Sequence, residues 1–169
     1  MLGLTCVVIF ISMIQGVFLQ GPLEALCGPP PVEKPFECCK IPHLFSEEER
    51  AECGIGYPSE GRRAPDCSKT ICIMKKKNLI KDDKDVDLEA VSEFLDKWTE
   101  ENSDFKDAIS KAKATCLKDN LPGPPGICGP DKIIHCIAFE TFNNCPTWEQ
   151  SEKCEKVKKH MDQCRAKLA

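Results

Sequence analysis

The stretch LEAVSEFLDKW, residues 88–98, carries the strongest structural signal in the chain. Its apolar residues recur at spacings of three and four, the period at which one face of an α-helix repeats. Charged and hydroxyl side chains fill most of the positions between them. The segment therefore predicts an amphipathic helix whose apolar face packs against the rest of the protein.

Weaker helical patterns flank this segment on both sides. The spacing of Ser46 and Glu49 is that of a capping box and predicts the start of a short helix. Proline and glycine clusters such as Leu121–Gly126 separate the periodic segments. No run of alternating β-branched residues is long enough to argue for a sheet, so we expect an all-α fold. Besides the periodic segment 88–98, the predicted helices cover residues 47–53, 67–77, 104–117, 131–144 and 147–166.

The N-terminus has the composition of a targeting segment. Residues 2–19 read LGLTCVVIFISMIQGVFL, and the first charged side chain is Glu24. We interpret residues 1–21 as a signal peptide cleaved near Gly21, with Gly16 or Ala25 as alternative sites, and residues 22–169 as the mature domain. The alternative, a membrane anchor, is disfavoured because the run is short, polar in its middle and without flanking Lys or Arg.

The cysteines indicate an oxidising compartment. Of thirteen, Cys6 leaves with the signal peptide, and an even number behind such a segment predicts disulfides. A chain of this length can bury a core unaided, so six bridges suggest a harsh extracellular fluid or a partly hollow interior. Metal ligation by these cysteines would need a reducing compartment, so we predict no metal site. The twelve are Cys27, Cys38, Cys39, Cys53, Cys67, Cys72, Cys116, Cys128, Cys136, Cys145, Cys154 and Cys164.

Charge and motifs exclude two functional classes. The net charge of −4 and the pI of about 5.5 argue against nucleic-acid binding. His135 beside Cys136 could form a thiol–imidazole pair, but a cysteine held in a bridge is not a nucleophile. The chain also lacks a Gly-x-Ser-x-Gly elbow. We therefore predict neither catalysis nor a cofactor.

Large apolar side chains on the predicted inward faces are the remaining candidates for function. As a set, they could line a ligand pocket between bridged helices. Each one alone is equally compatible with a filled core, and periodicity cannot separate the two. The candidate ligand-binding residues are Met74, Leu88, Val91, Phe94, Leu95, Trp98, Phe105, Ile109, Ile133, Ile137, Phe142 and Met161.

The cysteine spacing resembles that of the insect odorant-binding protein family. Cys39 is followed by 27 residues, then by Cys67-x4-Cys72, and 43 residues later by Cys116. Cys136-x8-Cys145 follows, and Pro146 with the additional cysteines is similar to the Plus-C subgroup. One departure is that the family pair is usually Cys-x3-Cys, and an extra residue turns one cysteine by about 100° on a helix.

This resemblance implies a fold and a function. The fold would be a compact, disulfide-rich bundle of about six or more helices around a hydrophobic cavity. The implied bridges are Cys39 (or Cys38)–Cys72, Cys67–Cys136 and Cys116–Cys145, with the pairing of Cys27, Cys38, Cys53, Cys128, Cys154 and Cys164 left open.

The implied function is that of a secreted, extracellular carrier for small hydrophobic molecules such as odorants or pheromones. An olfactory receptor or a second copy of the chain would be its macromolecular partner, with no nucleic acid and no membrane. The alternative is a secreted, cysteine-rich interaction protein, such as a salivary, venom or defence factor, that acts on a protein partner.

Overall fold

A computed structural model describes residues 30, 32–55, 67–82, 85–123 and 126–168. Within them lie six α-helices, two short 3-10 helices (Pro35–Cys38 and Ser103–Phe105) and two isolated β-bridges. The predicted all-α, disulfide-rich bundle is confirmed. The signal peptide predicted at residues 1–21 and the predicted bridge half Cys27 lie outside the described residues. The helices are α1 (Glu47–Glu52), α2 (Cys67–Lys76), α3 (Leu88–Glu101), α4 (Lys106–Cys116), α5 (Gly129–Asn143) and α6 (Glu152–Leu168).

Local hydrogen bonds fix where the helices begin. The predicted capping box of α1 is present, because Ser46 Oγ accepts the Glu49 N–H and the Glu49 carboxylate accepts the Ser46 N–H. At α3, the Asp87 carboxylate accepts the backbone N–H groups of Glu89 and Ala90. The bond from Ala90 is the main reason that the pKa of Asp87 is lowered.

The last helix begins five residues later than the sequence predicted. Trp148 forms a β-bridge with Cys39 instead of entering the helix. Ser151 Oγ then accepts the N–H of Cys154, which is the hydrogen bond of an N-cap. Helix α6 therefore starts at Glu152 and packs on the 3-10 helix Pro35–Cys38.

The core lies around the α4–α5 pair, the most extensive helix contact in the described structure. Helix α5 also packs on α2, and α3 packs on α4. The buried side chains at this centre include Met74, Val91, Ile109 and Ile137, each at most 1% exposed. The apolar face predicted from residues 88–98 is thus the face that α3 buries.

All three disulfides implied by the resemblance, Cys39–Cys72, Cys67–Cys136 and Cys116–Cys145, are wrong. Cys116 bonds Cys136 instead, because α4 and α5 pack side by side and bring their Cα atoms to 5.7 Å. The turn of helix α2 between Cys67 and Cys72 explains why the partners implied for these two cysteines are wrong. Cys67 and Cys72 are five residues apart, so they point about 140° away from each other and reach different partners.

The bridges of the described residues join neighbouring elements. Cys67 meets Cys128 just before α5, and Cys72 meets Cys53 just after α1. Cys164 is also disulfide-bonded. The adjacent Cys38 and Cys39 diverge because the 3-10 helix ends between them, and they tie the start of the domain to α6 and to the end of α5. These two bridges are Cys38–Cys154 and Cys39–Cys145.

Candidate functional site: an apolar groove

An apolar groove of about 250 Å³ lies between residues 36–50 and helices α3, α4 and α5. The irregular segment that follows the first 3-10 helix supplies one wall, and the three helices supply the other. Most of the lining side chains are apolar, which suits a ligand that is itself apolar. The lining residues are Phe36, Ile41, Pro42, His43, Leu44, Phe45, Arg50, Trp98, Ile109, Ile134, Ala138 and Thr141.

The irregular wall is held in place by covalent and polar contacts. The bridges at Cys38 and Cys39 fix its start. Further along, the indole N–H of Trp98 donates to the carbonyl oxygen of His43 at 3.2 Å. This bond satisfies the polar atom of a ring that is only 8% exposed, so the rest of the indole can serve as an apolar surface.

Aromatic contacts connect the two walls. Phe45, from the irregular segment, stacks on Phe94 of α3 with ring centroids 5.5 Å apart. Trp98 packs edge-on against Phe105 at 5.7 Å. Aromatic pairs at such distances contribute about 0.5–1.5 kcal/mol beyond area burial. The groove is therefore bounded by rings that are fixed by their neighbours.

One aromatic side chain of the groove faces solvent. Phe36 is 62% exposed, although its ring lies 4.8 Å from that of Phe142. Phe142 is in turn covered by Trp148 at 5.2 Å. Phe36 thus stands on a rigid aromatic base at the edge of the groove, where it can contact a ligand or a second protein.

The polar groups of the groove are few. Thr141 Oγ1 donates to the Ile137 carbonyl oxygen at 2.7 Å, so its proton is already used within α5. His43 and Arg50 are the ionisable members of the lining. Such a lining favours burial of hydrocarbon over recognition of a charged substrate.

The structure brings only two of the twelve predicted ligand-binding residues into this groove, Trp98 and Ile109. Ten of the twelve are buried, and Leu88 and Phe94 are half-buried. Three of the other ten line other spaces. Phe94 lines a second groove together with Trp98, and Leu88 and Ile133 line a third hollow. The remainder, which line none of these three spaces, are Met74, Val91, Leu95, Phe105, Ile137, Phe142 and Met161.

Sequence reasoning missed the irregular wall. Ile41, Leu44 and Phe45 lie in a segment without helical period, so no periodic signal singles them out. The signal that could have identified these three residues was their apolar character within a loop-rich region, because loops on a protein surface are exposed to solvent. On α5, the groove residues Ile134 and Ala138 lie one turn apart, beside the more deeply buried face that the period identifies.

The second groove, of about 540 Å³, shares Leu44 and Trp98 with the apolar groove but has a charged lining. Lys77 forms an ion pair there with Glu49 of α1. The hydrogen bond from Lys77 is the main cause that lowers the pKa of Glu49. The third hollow, of about 760 Å³, is lined mainly by polar residues, including Lys81, Lys118 and Lys132.

Metal binding has one candidate group within the described ranges. Donor atoms of Cys67, Cys128 and Asp131 lie within 4.8 Å of one another. The two sulfur atoms are bonded to each other, however, and a disulfide sulfur lacks the thiolate that coordinates metals. Among the described residues, no helix has both the length and the apolar character needed to cross a membrane.

Comparison with known proteins finds similarity to an odorant-binding protein. The chain is 25% identical to general odorant-binding protein 68 of Anopheles gambiae over an alignment of 180 positions that covers 95% of the chain and 84% of that protein. No protein-family model matches the chain. An alignment that spans almost the whole chain, together with the helical, disulfide-rich fold, supports a relation to the insect odorant-binding proteins.

Proposed function

We propose that the protein is an extracellular, non-enzymatic carrier that binds small hydrophobic molecules, such as odorants or pheromones, in the apolar groove. The observation that carries the proposal is the groove itself, with its apolar lining and its rigid aromatic walls. The similarity to an odorant-binding protein over 95% of the chain supports it. The disulfides fit secretion, and the cysteines beyond the usual six, together with Pro146, fit the Plus-C subgroup.

The groove volume sets the size of the ligand. A cavity of about 150 Å³ accepts benzene, so 250 Å³ corresponds to roughly ten non-hydrogen atoms. Such a ligand and the groove would each bury about 200 Å² of apolar surface, for a gross gain of about 10 kcal/mol. An association cost of at least about 4 kcal/mol leaves at most about 6 kcal/mol, which is a Kd of tens of micromolar or weaker.

A groove-filling substitution tests this proposal. Ala138 lines the groove from α5 and is exposed, so Ala138→Trp places an indole in the groove without overpacking the core. Ala114→Trp on α4 is the matched control, because Ala114 is exposed and does not line the groove. Both variants and the unmodified protein are titrated calorimetrically with hydrophobic volatiles of about ten non-hydrogen atoms.

We expect Ala138→Trp to weaken binding more than tenfold and Ala114→Trp to leave it unchanged. Absence of binding by every volatile to the unmodified protein would reject the carrier function. Binding that Ala138→Trp does not affect would reject the groove as its site.

A second candidate function rests on exposed aromatic side chains. Phe36 is 62% exposed and Phe139 is 41% exposed. The Phe36 ring contacts Phe142, and Phe139 lies one helical turn before Phe142 on α5. Neighbouring exposed aromatic rings are typical of protein interfaces. A secreted interaction protein would bind a partner, or a second copy of the chain, at this surface. Sedimentation equilibrium of the protein and of Phe139→Ser, which keeps the groove, tests for the second copy.

A further inference from the structure

The Cys67–Cys128 bridge differs in exposure from the other disulfides of the described residues. Both of its cysteines are half-buried and reach the surface. Every other disulfide that includes a described cysteine has at least one buried half. A thiol that attacks a disulfide must reach one of its sulfur atoms, so the Cys67–Cys128 bridge is the most open of them to exchange. The buried halves of the others include Cys38, Cys39, Cys53, Cys116 and Cys164.

The two sulfur atoms of this bridge lie in different electrostatic surroundings. Cys128 is the N-cap residue of α5, and no side chain caps that helix end. The unbonded N–H groups of a first helical turn and the aligned peptide dipoles carry a partial positive charge. A cysteine thiolate is stabilised there, and a stabilised thiolate leaves faster in disulfide exchange. Cys128 is therefore the leaving sulfur, and Cys67 is the sulfur that is attacked.

A buried carboxylate lies beside the sulfur that is attacked. Asp131, in the first turn of α5, is only 7% exposed. Its Oδ2 atom lies 3.8 Å from Cys67 Sγ, and among the described residues no other side chain or N–H group lies within hydrogen-bond distance of this carboxylate. The sulfur of a disulfide has no proton to donate, so the carboxylate lacks a donor in the bridged protein. Reduction supplies that donor, because the Cys67 thiol can donate to Asp131.

Other contacts keep the two cysteines close together when this bridge is open. The Cys53–Cys72 bridge still holds α2, and Ile73 and Met74 of that helix remain buried in the core. The Cys116–Cys136 bridge still joins α5 to α4. Reduction of Cys67–Cys128 is therefore a local event, and the two thiols remain placed to form the bridge again.

We propose that Cys67–Cys128 is a site of reversible thiol–disulfide exchange with a dithiol, in which Asp131 is the general base. In the first step, the proton of the incoming thiol passes to Asp131 and its sulfur bonds to Cys67. The Cys67–Cys128 bond breaks, and its electron pair leaves on Cys128 as a thiolate. The negative charge thus moves from Asp131 to Cys128, and the N-terminus of α5 keeps one negative charge beside it.

The second step releases the dithiol in its oxidised form. Its other thiol loses a proton to water and attacks the sulfur that is bonded to Cys67. Cys67 leaves and takes back the proton from Asp131, so that it becomes a thiol. The dithiol is oxidised to a disulfide, and the protein bridge is reduced by the same two electrons. This chemistry goes beyond the carrier function and does not depend on the apolar groove.

Timed reduction of the native protein tests the site. The protein is treated with dithiothreitol at pH 7 without denaturant, the freed thiols are blocked with N-ethylmaleimide at intervals, and the labelled peptides are identified by mass spectrometry. We expect Cys67 and Cys128 to be labelled together, at least roughly tenfold faster than any other cysteine. Earlier labelling of a different pair, or labelling of all cysteines at one rate, would overturn the proposal.

A variant separates the general base from simple access. Asp131→Asn should slow reduction by dithiothreitol at least about tenfold, because positioned acid–base groups contribute that much or more. Reduction by the neutral tris(hydroxypropyl)phosphine should keep its rate, because a phosphine has no thiol proton to lose. The matched control is Asp107→Asn, which removes an exposed carboxylate from the first turn of α4 and should change neither rate.

A loosened fold would speed up both reductions, so it cannot produce the expected slowing. Dithiothreitol reduction of Asp131→Asn at an unchanged or higher rate would overturn the role of Asp131 as the base. Equal slowing with the phosphine would overturn that role as well, because the effect would then come from access to the bridge.

Discussion

Removal of the Cys38–Cys154 bridge should destabilise the protein less than its span suggests. The bridge joins residues 116 positions apart, whereas Cys53–Cys72 joins residues only 19 apart. From loop length alone, the first would contribute about 4.8 kcal/mol and the second about 3.2 kcal/mol. We expect the opposite order in the folded, fully bridged protein.

The reason is the neighbouring bridge Cys39–Cys145. With that bridge in place, the chain path from Cys38 to Cys154 runs through the disulfide and closes a loop of only roughly 11 residues. Such a loop corresponds to about 2.8 kcal/mol. The same shortcut applies to Cys39–Cys145 when Cys38–Cys154 is intact. With Cys53–Cys72 and Cys67–Cys128 still in place, the path from Cys39 to Cys145 also shortens, to roughly 38 residues. Removal of both bridges should therefore cost about 6.7 kcal/mol, about 1 kcal/mol more than the two single losses together.

Urea unfolding of alanine variants measures these losses. Cys38→Ala with Cys154→Ala is compared with Cys53→Ala and Cys72→Ala, and the free energies of unfolding are obtained by linear extrapolation. Alanine avoids burying a new hydroxyl group where Cys38 is fully buried. A loss near 4.8 kcal/mol for the Cys38–Cys154 variant, or additivity of the two neighbouring bridges, would refute the shortcut argument.

Three further predictions concern stability. Ile137→Ala should cost about 2–5 kcal/mol and Ile137→Val about 0.5–1.5 kcal/mol in urea unfolding, because the side chain is 1% exposed; equal losses would contradict burial in a packed core. Ser46→Ala should cost about 1 kcal/mol by loss of the α1 capping box, and no loss by the same assay would contradict the cap. The pKa of Asp87 is lowered from its ordinary value of 3.8, so its charge stabilises the fold above that pH and the contribution is lost as pH falls through the folded pKa. Asp87→Asn should therefore be less stable than the unmodified protein at pH 6, with the difference shrinking towards pH 3, and a pH-independent difference would contradict the assignment.

The helices could be predicted because their signals are local. The period of residues 88–98 and the Ser46–Glu49 spacing depend only on side chains within one or two turns, and both are confirmed. The start of α6 could not be predicted in the same way. Trp148 is drawn into a β-bridge with Cys39, and this partner lies more than a hundred residues away in the sequence.

The disulfide pairing depends on tertiary contacts that no local pattern contains. The resemblance assigned partners by the order of six cysteines along the chain. Here Cys53 and Cys128 lie closer to Cys72 and Cys67 than the assigned partners do, and each forms the bridge that its neighbourhood allows. Additional cysteines therefore changed the pairing of the ones that resemble the family, not only their number.

The groove was only partly predictable for a related reason. Trp98 and Ile109 belong to helix faces that the period identifies, and the structure places them in the groove. Most of the opposite wall comes from an irregular segment, for which sequence periodicity makes no prediction. Its position is set by Cys38, Cys39 and the hydrogen bond to the His43 carbonyl, all of which are long-range contacts.

The position of this wall gives a physical reason for two of the bridges, Cys38–Cys154 and Cys39–Cys145. Met74, Ala112 and Val157 are fully buried, so the bundle has a core of its own beside this wall. An irregular segment loses about 1–2 kcal/mol of backbone entropy per ordered residue, and it lacks the hydrogen bonds of a helix to offset that loss. Bridges at Cys38 and Cys39 restrict the segment before it folds and leave its side chains free to form the groove. Covalent restraint therefore allows a loop, rather than a helix, to form one wall of the proposed ligand site.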